Sequence, residues 1–167
     1  MRLFLLVICL ACAGAASALE TARELAASGA SRLALARVEQ LQPRDPAAAR
    51  WAEWEALRMS LLVGLGLNEE ALKRAAGLPG GMPQAPLWQC LLDAVRAALA
   101  TGQGVAARAY AARLLWQLPA TPEEARAVRL LVIESYLAER QGDMAFRSML
   151  RYHQDYRPLE RDRKSVV

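Results

Sequence analysis

Four glycines recur at near-constant intervals along this 167-residue chain: Gly29, Gly66, Gly102 and Gly142, spaced 37, 36 and 40 residues apart. The clearest copy runs from Gly66 to Pro79. It reads as a turn glycine, a helix capped by Asn68, and a proline stop. Alignment of the first three glycines places Ala34, Ala71 and Ala107 five residues on, and Val38, Ala75 and Ala111 nine on. Leu41, Leu78 and Leu114 stand twelve on, and Pro43, Pro79 or Pro119 follows. Offsets of five, nine and twelve share one helical face, and the small residues mark where a neighbouring helix approaches closely. A period near the mid-thirties with two helices per unit is the signature of a helical solenoid.

Composition agrees. The chain is 54% hydrophobic but only 6% aromatic. Its richness in Ala, Leu, Arg and Glu, with few β-branched runs, reads as all-α.

Residues 1–18 read as a secretory signal peptide. Arg2 supplies the positive start, Leu3 to Ala13 an apolar stretch, and Ala16-Ser17-Ala18 a small-residue cleavage site. Cleavage after Ala18 places the mature protein in the periplasm or outside the cell. The rival reading acylates Cys12 as a lipoprotein, but Cys9-Leu10-Ala11 lacks the aliphatic residue wanted three before the cysteine. No later stretch is apolar for long enough to span a bilayer, so no stable membrane span is expected after cleavage. Loss of Arg2, the only charge in the leader, takes the formal net charge from +4 to +3. Arginine far outnumbers lysine, with Lys73 and Lys164 the only lysines. That points to genome composition rather than nucleic-acid binding. Cys90 alone remains after cleavage, so no intramolecular disulfide is expected, and it reads as a small buried hydrophobe.

Eight helices are expected in the mature chain, with a short ninth. Thr21-Ala22-Arg23-Glu24 has capping-box spacing for a short first helix ending near Ala27. Ser31–Leu41 is the second. Asp45 then caps a third from about Pro46 to Leu65. The fourth stops at Gly77-Leu78-Pro79. Residues 79–86, rich in proline and glycine, form a loop able to hinge two halves. Pro86 opens the fifth helix, in which Trp88, Leu91, Leu92, Val95, Ala98 and Leu99 make an amphipathic face. Val105–Leu118 is the sixth. Thr121-Pro122-Glu123-Glu124 opens the seventh with a cap, an N1 proline and an N3 glutamate. Its apolar residues cover more than one face, as in the inner helix of a stack. Met144 to about Tyr156 is the eighth. Residues 159–167 read as a short capping helix or as the start of a further repeat.

On these residues the chain resembles the tetratricopeptide repeat, a unit of about 34 residues. Gly29, Ala34, Val38, Leu41 and Pro46 match the second helix of that unit well. The copies at Gly66 and Gly102 match partly, with alanine in place of the usual aromatic. The fourth copy puts Arg147, Arg151 and Gln154 at the three offsets. A turn shortened by two residues restores Ala145, Met149 and Tyr152. The resemblance covers most of residues 20–158. It implies a right-handed solenoid of about four antiparallel helix pairs over residues 19–158, with a concave binding surface and no particular partner.

Little chemistry is written in the chain. One histidine, His153, and one mature cysteine cannot build an ordinary zinc site. No phosphate loop, dinucleotide fingerprint or nucleophile elbow occurs. Glu69-Glu70 and Glu123-Glu124 are carboxylate pairs in helix first turns, where capping accounts for them. No catalytic, cofactor-binding or metal-binding residue is assigned, and the expectation is not an enzyme. Two features are candidates for partner contact. The C-terminal stretch interleaves Arg147 and Arg151 with Tyr152 and Tyr156, a basic-aromatic face suited to an acidic partner or an anionic envelope polymer. Trp54 and Trp88 read as core, whereas Trp51 and Trp116 are candidates for an exposed groove. The expected function is a protein-binding scaffold of the bacterial envelope, with another envelope protein as partner. The alternatives are a helical accessory domain of peptidoglycan-processing machinery, which the chain resembles loosely, and a structural oligomerisation module.

Overall fold

The computed structural model describes the backbone of residues 18–164 and the side chains of residues 18–156. Residues 1–17, which hold the expected signal segment up to Ser17 with Cys9 and Cys12, lie outside the described residues, as do residues 165–167. Among the described residues the fold is all-helical, with eight helices and no strand. They are α1 (residues 18–27), α2 (Ser31–Leu41), α3 (Trp51–Gly64), α4 (Asn68–Ala76), α5 (Gln84–Ala100), α6 (Gly104–Gln117), α7 (Pro122–Ala138) and α8 (Gly142–Lys164). No described helix is long and apolar enough to cross a membrane.

One turn joins α1 to α2, α3 to α4, α5 to α6 and α7 to α8. Its central residue is left-handed: Gly29, Gly66 and Gly102 at φ of 84°, 75° and 71°, and Arg140 at 57°. Its hydrogen bonds recur at the same ranks. The following residue donates backward across the turn, Ala30 to Leu25, Leu67 to Leu62, Gln103 to Ala98 and Gln141 to Tyr136, at 2.8–2.9 Å. Such bonds satisfy carbonyls that a helix end leaves unpaired. The same four residues accept from Ala34, Ala71, Ala107 and Ala145, closing the first turn of each second helix. All four alanines are buried.

The fourth turn is centred on Arg140 and not on Gly142. The spacing is therefore 37, 36 and 38, and the register with Ala145, Met149 and Tyr152 is the observed one. Gly142 is the first residue of α8. The shared turn also corrects the expected cap at Asn68. Leu67 holds the cap position without a side-chain bond, and Asn68 is already helical. The Leu67 carbonyl accepts the first intrahelical bond, from the Ala71 amide at 3.1 Å.

Other boundaries shift for local reasons. Asp45 accepts from the Ala47 amide at 2.9 Å, so it closes a tight turn at Pro46 rather than capping a helix there. Left-handed Arg50 then delays α3 to Trp51. Helix α1 already includes Thr21, which therefore does not cap it. Pro86 sits in the first turn of α5, where its missing N–H costs no intrahelical bond. Thr121 and Glu124 form the full capping box of α7. Helix α8 does not stop near Tyr156; it continues through Pro158 to Lys164, so no separate helix begins at Leu159. A helical φ suits proline, and the loss is one backbone hydrogen bond with local crowding.

Packing follows chain order. Among helices α2 to α8 the packed pairs are neighbours, plus α3 on α5 and α5 on α7. The core runs through α5, whose Leu87, Leu91, Ala94, Val95 and Ala98 are buried with Cys90 and Ala97. Helix α7 packs on α5 and α6 on one side and on α8 on the other, as its spread of apolar residues suggested, but it is less deeply buried than α5. Only Val128, Ile133 and Ser135 of α7 are buried, while Leu130 and Leu137 are exposed. Polar ties cross between successive pairs. Arg23 meets Glu53, Arg58 meets Glu39, and Arg108 meets Glu139, each at 2.8–2.9 Å. Ser60 donates to buried Asp93 at 2.6 Å.

Candidate functional site

Trp51 opens α3 directly after the left-handed Arg50, and the indole is 8% exposed. It walls two open clefts. The larger, about 780 Å³, lies between α3 and α4 and is lined by Glu55, Glu69, Glu70, Lys73, Arg74 and Gly77. The smaller, about 390 Å³, is lined mostly by apolar residues, among them Pro46, Ala52, Pro79, Met82 and Pro83, together with Asp45. This largely buried indole thus borders a cleft lined mostly by charged residues and one lined mostly by apolar residues.

The charges in the larger cleft divide into paired and unpaired groups. Glu55 is buried, and Arg74 Nε donates to it at 2.7 Å. Gln42 donates to the same carboxylate at 2.6 Å. That pair is neutral in sum and fixes the wall. Glu70 lies 3.6 Å from Arg58. Glu69 and Lys73 are exposed on the first and second turns of α4. Carboxylates in a helix first turn sit well with the positive end of its dipole, and here the same carboxylates face a cleft.

In the apolar cleft, Met82 is buried although it belongs to the segment between α4 and α5. It plugs the core from that segment, and Gln84 at the start of α5 donates to the Pro119 carbonyl at 3.3 Å.

The six candidate contact residues fall in three separate places. Trp51 is in the double cleft. Trp116, near the end of α6, is 78% exposed and lines neither cleft. Tyr152 and Tyr156 are half-buried in the seam between α7 and α8. Their rings lie 5.0 Å apart, and Arg126 Nε donates to the Tyr152 hydroxyl at 2.6 Å. The Arg126 and Arg129 guanidiniums lie over the rings at 5.7–5.9 Å, and Arg129 pairs with Asp155 at 3.1 Å. The aromatic half of the C-terminal face thus meets arginines of its own chain. Arg147 and Arg151 point elsewhere. They are exposed on the side of α8 away from the tyrosines.

Glu69, Glu70, Lys73 and the prolines around Met82 did not stand out in the sequence as contact residues. Their one signal was the crowding of Pro79, Gly80, Gly81 and Pro83 beside a charged helix. Cys90 is fully buried between these walls and the rest of the core, and burial pushes its thiol well above the ordinary range. Among the described residues no group of three or more His, Cys, Asp or Glu could hold a metal ion. No protein-family model, no curated protein and no solved structure matches the chain.

Proposed function

We propose that this chain is an exported, non-enzymatic scaffold of the bacterial envelope that binds another protein through a tetratricopeptide-like solenoid of four helix pairs. The observation that carries the reading is the turn that recurs four times with the same hydrogen bonds and a buried alanine at the fifth place after its left-handed residue. Repetition of one supersecondary unit, with each pair packed only on its neighbours, is how such arrays are built. Arrays of this kind act by presenting surface.

The Trp51 clefts are the surface we assign to the partner. An extended segment crossing the indole would place an apolar side chain against Pro79 and Met82. A basic side chain would then lie toward Glu69 and Glu70. Export is supported by the leader pattern in residues 1–18.

The test is crosslinking and co-purification. The chain carries a C-terminal tag and is expressed in its own envelope. The expected result is one envelope protein recovered reproducibly with the parent chain and lost from E69K/E70K, whose circular dichroism is unchanged. Recovery of wall polymer alone would favour the accessory-domain reading. Recovery that ignores E69K/E70K would remove the Trp51 clefts from it.

A further inference from the structure

The side of α7 and α8 turned away from α5 and α6 is apolar and open. Leu130 and Leu137 of α7 and Phe146, Met149 and Leu150 of α8 are each 40–64% exposed. The repeat register says what this side corresponds to. On α6, Gly104 is crowded by the Ser135 carbonyl of α7, and Arg108 reaches Ser135 and Glu139 of α7. These are the positions on which the next helix packs. Thirty-eight residues on, from Gly102 to Arg140 in the turn, they become Gly142 and Phe146. Gly142 has nothing within 4 Å of its Cβ position. Met149 has the rank of Val38, Ala75 and Ala111, which are at most 2% exposed.

We infer that this side is the contact face of a two-fold homodimer. Each copy offers a helix hairpin with one uncovered apolar face, and two such hairpins packed face to face make a four-helix arrangement. The charges suit a second copy. Between Leu130 and Leu137 the exposed stripe of α7 carries the acid Glu134. The edge of α8 beside Phe146 and Leu150 carries Arg147 and Arg151, which have no ion pair among the described residues. A two-fold axis that sets α7 of one copy against α8 of the other brings acid to base on both sides. A further helix of the α7 kind fits less well. It would bring Ser135-like and Glu139-like groups to a place where Phe146 stands instead of Arg108. This face is separate from the Trp51 clefts and does not depend on what they bind.

Light scattering behind gel filtration of the purified chain tests the inference. The parent chain is expected at the mass of two copies. F146E/M149E is expected at the mass of one, with unchanged far-ultraviolet dichroism, because two carboxylates buried in the contact weaken it at least about 100-fold. V105S/W116S, which alters exposed apolar residues on α6, is expected to stay dimeric. A parent chain of single mass at every soluble concentration overturns the inference. So does a dimer that survives F146E/M149E or is lost in V105S/W116S. A ladder of masses growing with concentration also overturns it, since a two-fold contact closes.

Discussion

Arg74 holds Glu55 across the seam between α3 and α4, its Nε donating to Oε1 at 2.7 Å, while the carboxylate is 1% exposed. A carboxylate this deep is stable only with its partner present. Arg74→Ala leaves Glu55 with Gln42 alone, and the expected loss is about 3 kcal/mol. The double variant E55M/R74L removes both charges, and the expected loss is smaller than for R74A. Urea unfolding of the two variants measures this directly. Equal losses would mean that the pair itself, and not the stranded charge, supplies the stability.

The turn residues give a second prediction of opposite signs. Gly66 and Gly102 have open space around their Cβ positions, so alanine there meets only the backbone penalty of positive φ. G66A and G102A are each expected to cost about 1 kcal/mol. Arg140→Gly relieves that penalty at the fourth turn and is expected to gain about 1 kcal/mol. Gly104 differs in kind. Its backbone is ordinary, but a Cβ would lie 2.6 Å from the Ser135 carbonyl and 2.7 Å from the Glu139 side chain. G104A therefore forces α6 away from α7, and its cost is expected to exceed that of G102A. Thermal unfolding of the four variants ranks them.

These residues also mark how far the sequence could be read. Three turns were visible because glycine signals positive φ. The fourth was displaced by two residues because Arg140 occupies a conformation that its side chain does not advertise. Asn68 misled for a related reason: its cap chemistry was read locally, whereas the backbone of the turn puts Leu67 at the cap position and Asn68 inside the helix. The tyrosines looked like surface because Arg126 and Arg129 are more than twenty residues away in sequence, and only the packing of α7 on α8 brings them together. The Trp51 clefts draw on three separate stretches, and no local pattern announces that.

Acid should loosen the junction of α1 with α3. Arg50 bonds Glu53 through Nε and Nη2, and Arg23 adds a third contact at 2.9 Å. The Arg50 guanidinium, with Arg23, holds the Glu53 carboxyl down at about 2, from an ordinary 4.5. A folded value below the unfolded one stabilises at pH above the unfolded value, and that contribution is lost as pH falls through the folded one. Glu53→Gln is therefore expected to be less stable than the parent chain at neutral pH. The difference should shrink below about 4.5 and vanish only below about 2. Denaturant midpoints across that range decide it, and a difference that persists in acid would assign the effect to packing.

Trp116 and Trp51 separate fold from function more cleanly than any other pair here. Trp51 is buried against the core, so Trp51→Ala is expected to cost about 3 kcal/mol or more. Binding measured on that variant would be confounded by unfolding. Trp116 is 78% exposed, at the end of a stripe on α6 that also carries exposed Val105, Ala109 and Ala112. At the rank of Trp116, fourteen residues after the left-handed turn residue, the other units hold Pro43, Gly80 and Gln154, so that position does not require an aromatic. Trp116→Ala is accordingly expected to change stability by less than about 0.5 kcal/mol. Trp116→Phe should also remove the part of the fluorescence that iodide quenches most readily, which checks the exposure itself. A partner lost from W116A with the unfolding midpoint unchanged would be lost for want of a contact, whereas a lowered midpoint would show that the indole packs against its own chain.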